Sequence, residues 1–224
     1  MKSIFYLKKK SKIALLLFCV MACSILINLL EDKSIKDMNA SYKSLYNDRL
    51  VPSILLHEIN IIGIEKNQQL ASDLSDDEYI DKSLFEKYNS KIDSIINIYE
   101  QTYLVDSEEV LLEKLKANIK KIQNQESLIL KLATAEKWEA ASSLYELEGK
   151  SLNLETTKLV TQLMEVHIKV GHDMMDDVDT LVSGTKLYSS MQIGLAIVIG
   201  LLIMSILFTV KSSRTAGPKD FHLN

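Results

Sequence analysis

At 224 residues the chain is long enough for one domain. Its formal net charge of −4 hides an uneven distribution, because residues 31–190 carry 18 basic and 29 acidic side chains, a net of −11. Such an acidic surface repels phosphate backbones and argues against a nucleic-acid partner. The chain also has no glycine-rich phosphate loop, no embedded Ser-His-Asp order and no zinc-ligand spacing, so neither an enzyme nor a cofactor is expected.

Residues 1–12 hold Lys2, Lys8, Lys9, Lys10 and Lys12 and no acid. An uncharged run follows from Ile13 to Leu30, and a second runs from Met191 to Val210. A spanning helix needs roughly 20 apolar residues to cross a hydrocarbon core of about 30 Å. Both runs are predicted transmembrane helices, 13–30 and 191–210. Residues 211–224 form a short tail with Lys211, Arg214 and Lys219 against Asp220. Basic residues flanking spans stay cytoplasmic. Both termini are therefore expected inside a bacterial cytoplasmic membrane, with residues 31–190 outside it and the lipid bilayer as a partner. A cleaved signal peptide with a lipidated Cys23 is the alternative. Ile25, Leu26, Ile27, Leu29 and Leu30 continue the apolar run past that cysteine and favour an uncleaved anchor. Cys19 and Cys23 are the only cysteines, so the outer segment must hold itself together by packing.

The outer segment lacks strand alternation and hairpin turns, whereas apolar residues recur there at spacings of three and four. Four helices are predicted, over about 33–72, 77–104, 108–133 and 136–190. Ser75 with Glu78, beside Asp76 and Asp77, fits a capping box for the second helix. Asp106 with Glu109, or Ser107, can cap the third, with Glu108 in its first turn. Thr134 is the candidate cap for the fourth. Short connections make neighbours antiparallel, which predicts an all-α, up-down-up-down four-helix bundle between two transmembrane helices. The stripes place Tyr42, Tyr88, Tyr99, Tyr103 and Tyr145 in the core.

"LYNDRLVPS" (45–53) interrupts the first helix with Pro52, three residues after Arg49. Proline removes a helical hydrogen bond and clashes one turn back, so residues 48–51 should bend. Arg49 and Tyr46 are the candidate ligand-binding residues, since a guanidinium grips carboxylates bidentately and suits a small anionic solute. The other reading is a salt bridge from Arg49 to an acid on a neighbouring helix. His172 and Asp176 share a helix face with His167 nearby, but no convincing third ligand accompanies them, and no metal site is expected.

The order of anchor, four-helix segment and anchor, with Tyr46, Arg49 and Pro52 in the first helix and "EKWEAASSLYE" (136–146) at the start of the fourth, resembles the sensor region of bacterial methyl-accepting chemotaxis proteins. The resemblance covers residues 1–210. It implies an extracytoplasmic sensor for a small solute or a periplasmic protein, taking part in signal transduction as a homodimer. In that family a HAMP linker and a long cytoplasmic coiled coil follow the second span. Here "KSSRTAGPKDFHLN" follows, so a separate signalling partner is expected. Small residues at Ser190 and Gly194, and at Ala196 and Gly200, would let spans approach closely. The rival expectation is a structural or adaptor membrane protein whose bundle docks another membrane protein.

Overall fold

The computed structural model describes residues 2–76 and 79–214, with the side chains of 12–13, 15–76 and 79–205. The described elements are all helical. They are α1 (Lys2–Leu45), a π-helical turn (Tyr46–Leu50), α2 (Val51–Ser75), α3 (Lys82–Tyr99), α4 (Asp106–Thr134), α5 (Trp138–Leu144), a second π-helical turn (Tyr145–Gly149) and α6 (Lys150–Arg214). Two compact units result. One is Ser41–Asp176; the other combines Met1–Ala40 with Asp177–Asn224.

Within Ser41–Asp176 the four helical rods bury the faces expected from their three-four spacing. One apolar layer joins Leu56 and Ile59 of α2, Ile92 and Ile95 of α3, Leu115 and Ile119 of α4, and Leu159 and Leu163 of α6. A second gathers Leu70 and Leu74 of α2, Phe85 of α3, Ile129 of α4, and Ala141 and Tyr145 around the second π turn. Each helix thus contributes a continuous stripe, and the bundle is all-α as its sequence predicts.

The connections differ from expectation. Ser75 ends α2 rather than starting the next helix, while Asp77 and Glu78 lie outside the described residues. The cap of α3 is Asp81, whose carboxylate accepts from the Ser83 backbone N–H at 2.9 Å. Its φ/ψ of −74/94° is extended, which suits a cap better than a helix interior. At α4 the residue before the helix is Val105, and Glu108 reaches back to accept its backbone N–H at 2.9 Å. Asp106 and Ser107 lie inside the helix. Thr134 is the last residue of α4, its hydroxyl donating to the Leu130 carbonyl at 2.7 Å, and α5 starts at Trp138. The chain leaves α4 through Glu136 at φ 55°, with Lys137 N–H bonding Leu132 O and Glu136 N–H bonding Ala133 O, both at 2.9 Å. That pair of bonds closes a helix C-terminus, with a glutamate where glycine is usual.

Two of the five core tyrosines are exposed instead. Tyr42 is 46% and Tyr103 69% accessible, whereas Tyr99 and Tyr145 are buried and Tyr88 is partly so. Tyr103 falls in the connection between α3 and α4, where no helical stripe operates.

The other compact unit contains two stretches long and apolar enough to cross a membrane. Leu15, Phe18, Leu26 and Leu29 on α1, and Ile193, Ile197 and Leu201 on α6, are each at least 60% accessible. Large apolar side chains left facing outward in such number require an apolar medium or a partner.

Candidate functional site

Arg49 sits in the π turn Tyr46–Leu50. Pro52 explains the turn. Lacking an N–H, it supplies no α-type bond to Asp48 O, and its ring would strike that carbonyl in a regular helix. The chain takes one extra residue in the turn instead, closed by Val51 N–H to Tyr46 O. The Ser53 hydroxyl donates to the Arg49 carbonyl at 2.7 Å. Where a bend was expected over 48–51, the structure has this wide turn at Tyr46–Leu50.

Arg49 is 5% accessible and lies inside the bundle unit. Its Nη1 donates to both carboxylate oxygens of Glu108, at 2.8 and 3.0 Å. Glu108 is completely buried. His167 of α6 puts Nδ1 3.2 Å from Glu108 Oε1, and its Nε2 is 2.8 Å from Tyr99 Oη. Four rods therefore meet in one polar layer: Arg49, Tyr99 of α3, Glu108 of α4 and His167. The set closes with a neutral imidazole. With Nδ1–H turned to Glu108, Nε2 accepts from the Tyr99 hydroxyl and Arg49 completes the carboxylate; in the other tautomer Nε2–H donates to Tyr99 Oη and Nδ1 faces Arg49 Nη1 at 3.5 Å. A protonated His167 would donate from both nitrogens and leave the Tyr99 proton without an acceptor. Burial pushes the His167 pKa down, opposed by the charge of Glu108 and assisted by that of Arg49. Burial, reinforced by Glu108, pushes the Tyr99 phenol up. One donor stays unused: Arg49 Nε is buried with no hydrogen-bond partner.

Over this layer lies a hollow of about 480 Å³, lined by Tyr42, Leu45, Tyr46, Arg49, Leu50, Ser53, His167, Ile168 and Gly171. The structure thus brings both sequence candidates together. Arg49 forms the interhelical salt bridge and also lines the hollow, while Tyr46, 59% accessible, is on its wall. Pro52 is buried and acts on the backbone. His172 pairs with Asp176 at 3.5 Å on the exposed surface, away from the Glu108 network to which His167 belongs. Among the described residues no group of three or more acidic, histidine or cysteine side chains is arranged for a metal.

A second buried ion pair, Lys66–Glu126 at 2.7 Å, was not anticipated. Asn89 of α3 accepts from Lys66 at 2.8 Å and donates to Glu126 at 3.3 Å. The signal for the Arg49–Glu108 pair was in the spacing. Arg49, Pro52, Leu56 and Ile59 continue one stripe, as do Glu108, Leu112, Leu115 and Ile119, and His167 follows Leu163 by four. A charged residue in register with the core face marks a buried partner, because an unpaired charge there would be too costly.

A family model described as a four helix bundle sensory module for signal transduction matches residues 7–182. No curated protein and no solved structure matches the chain. The match spans most of the sequence and agrees with the observed bundle, and the chain therefore belongs to the family of four-helix-bundle sensory modules for signal transduction.

Proposed function

We propose that this sensory module is anchored in a bacterial cytoplasmic membrane by α1 and α6, with its bundle on the outer side and both termini inside. It acts as a homodimer, reads a small solute at the Arg49–Tyr46 hollow, and passes a helix displacement to a separate signalling partner. The observation that carries the sensing reading is the junction of all four rods at Arg49, Tyr99, Glu108 and His167 beneath an open hollow. A ligand touching Arg49 or His167 acts on every rod at once, and a packed bundle with discrete arrangements is suited to switching. Outward apolar faces and basic flanks support the anchoring. The open space around Gly194 and Gly200 leaves room for a second span to approach.

One observation favours the adaptor alternative. On the fourth rod Leu147, Leu154, Ile168 and Met175 recur at multiples of seven and are 39–77% accessible. A heptad row of this kind suits a partner helix, either from a second copy or from another membrane protein.

Topology is tested with Lys120→Cys and Ser212→Cys, each alone in a chain with Cys19 and Cys23 replaced by serine. An impermeant maleimide applied to intact cells should label only the first. Labelling of the second alone would reverse the orientation. Melting of the full chain in detergent, screened against amino acids and organic acids, tests sensing. A saturable rise supports it, because a ligand of the folded state raises Tm. Constitutive capture of one membrane protein with no melting response would favour the adaptor.

A further inference from the structure

The four-rod layer accommodates His167 as a neutral ring in either tautomer, but not as a cation. The groups that face the ring come from the three other rods. Arg49 Nη1 is 3.5 Å and Glu108 Oε1 3.2 Å from Nδ1, and Tyr99 Oη is 2.8 Å from Nε2. None of the four residues is more than 5% accessible. While the ring is neutral, the charges of Arg49 and Glu108 cancel within the layer. A proton on His167 sets a second cation against one carboxylate and leaves a buried net positive charge. It also makes both ring nitrogens donors, so Tyr99 Oη has to accept and its own hydrogen loses its acceptor. One movement relieves both penalties, a parting of the rods that admits water. The hollow supplies the route for the proton, since Arg49 and His167 both line it. These two residues are on the rods that continue into the apolar stretches, eight residues after Ser41 and nine before Asp176, where the bundle unit ends.

We infer that protonation of His167 opens this layer, so that the module senses external acid as well as a solute. The inference rests on the reading of the bundle as the outer, sensing part of the chain, but it requires no solute. Histidine is the side chain whose ordinary pKa brings its charge change between about pH 5 and 8. Burial lowers that of His167, which puts the response on the acid side of about pH 6.5. His57 and His172 are exposed and belong to no buried layer. The device is a two-state one: a closed layer with a neutral ring, and an open layer in which water solvates the imidazolium.

The test uses the full chain in detergent, with Cys19 and Cys23 replaced by serine and spin labels on exposed positions of the bundle unit. Lys43→Cys on α1 or Lys169→Cys on α6 is paired with Lys114→Cys on α4. Label separations are read by pulsed electron paramagnetic resonance from about pH 7.5 to 5, beside circular dichroism and the ring signals of isotope-labelled histidine. On acidification both separations should lengthen by about 1–2 Å, the scale of a helix shift, while helicity is retained. The midpoint should coincide with that of the His167 ring and lie below about pH 6.5. His167→Gln keeps a donor and an acceptor but takes up no proton, and it should hold the neutral separations throughout. His172→Gln should leave the change intact. Should His167→Gln fail to fold, the two midpoints in the parent chain decide, and a mismatch overturns the inference. A His167 ring that titrates while the separations stay fixed would overturn it. So would a ring that stays neutral until the bundle unfolds, or a change that persists in His167→Gln. Each of these failures leaves the solute reading to the melting screen. An acid response with no solute response would instead remove the solute and keep the proton as the stimulus.

Discussion

Glu108 is the residue on which most of the buried polar layer depends. It accepts from Arg49, His167 and the Val105 backbone, and none of its surface reaches water. Removing one partner of a buried pair leaves the other charge unsatisfied, typically at a cost of about 3–5 kcal/mol. Glu108→Gln should therefore destabilise the folded chain by about 3 kcal/mol or more, read from denaturant unfolding of the bundle. An effect below 1 kcal/mol would mean that water reaches the pair. His167 adds a pH dependence. Its folded pKa lies below its unfolded value of about 6.5, so the unfolded chain takes up a proton that the folded chain refuses. The contribution of the neutral ring is complete above about pH 6.5 and is lost as the pH falls from there towards the depressed folded value. Unfolding free energy measured from pH 7.5 to 5.5 should fall by up to about 1.4 kcal/mol per unit. His167→Gln should flatten that slope, and an identical slope in both proteins would assign it elsewhere.

At the scale of the element, two local irregularities have opposite consequences. Glu136, just past the end of α4, has φ 55°, where a side chain is strained by about 1–2 kcal/mol. Glu136→Gly should raise stability by about 1 kcal/mol, seen as a higher denaturation midpoint with an unchanged slope. Gly149 is the reverse case. A Cβ at this position would lie 2.8 Å from Tyr145 Cδ2 and 3.3 Å from Gln125 Oε1. The second π turn thus packs its backbone against its own tyrosine and against α4, with Tyr145 Oη donating to Asn67 at 3.0 Å. Gly149→Ala should lose about 1–3 kcal/mol from overpacking, despite the better helix propensity of alanine. A gain on thermal melting would show that Tyr145 moves aside freely. Neither π turn was legible as such from sequence. Pro52 announced a disturbance, but its form, a widened turn closed by Val51 N–H to Tyr46 O, is visible only in the structure.

For the whole molecule, the two polar layers divide the bundle core. Lys66, Asn89 and Glu126 come between the two apolar layers in the sequence of α2, α3 and α4, while Arg49, Tyr99, Glu108 and His167 flank the first. Each ties the stretch Tyr46–Ser75 to α4, and a one-turn slip of either would leave four buried charges, Arg49, Glu108, Lys66 and Glu126, without their partners. Buried ion pairs contribute little net stability yet specify register. Replacing Lys66 and Glu126 together by methionine and leucine should therefore change stability by less than about 2 kcal/mol, whereas Lys66→Met alone should cost about 3 kcal/mol. Comparing the two in one unfolding series separates register from stability. Equal losses would show that the pair is not coupled.

The sequence by itself determined the helical class, the four rods and the two apolar runs, because these follow from spacing and composition that any packing must respect. It also singled out Arg49, Tyr46 and Pro52, the last by the simple loss of an N–H. It left Arg49 open between a ligand and a salt bridge, and it gave no sign that Lys66 would be buried beyond its register with Leu70. Only the tertiary structure decided those points. Partners 59 residues apart for Arg49 and Glu108, and 118 apart for Arg49 and His167, meet only when separate rods pack. The same packing exposed Tyr42 and Tyr103, closed α4 through a left-handed glutamate, and left the buried Arg49 Nε without a hydrogen-bond partner. Local periodicity states which face of a helix is apolar. Which charge on that face meets which partner is set by the relative register of four rods, and that register is a property of the whole bundle.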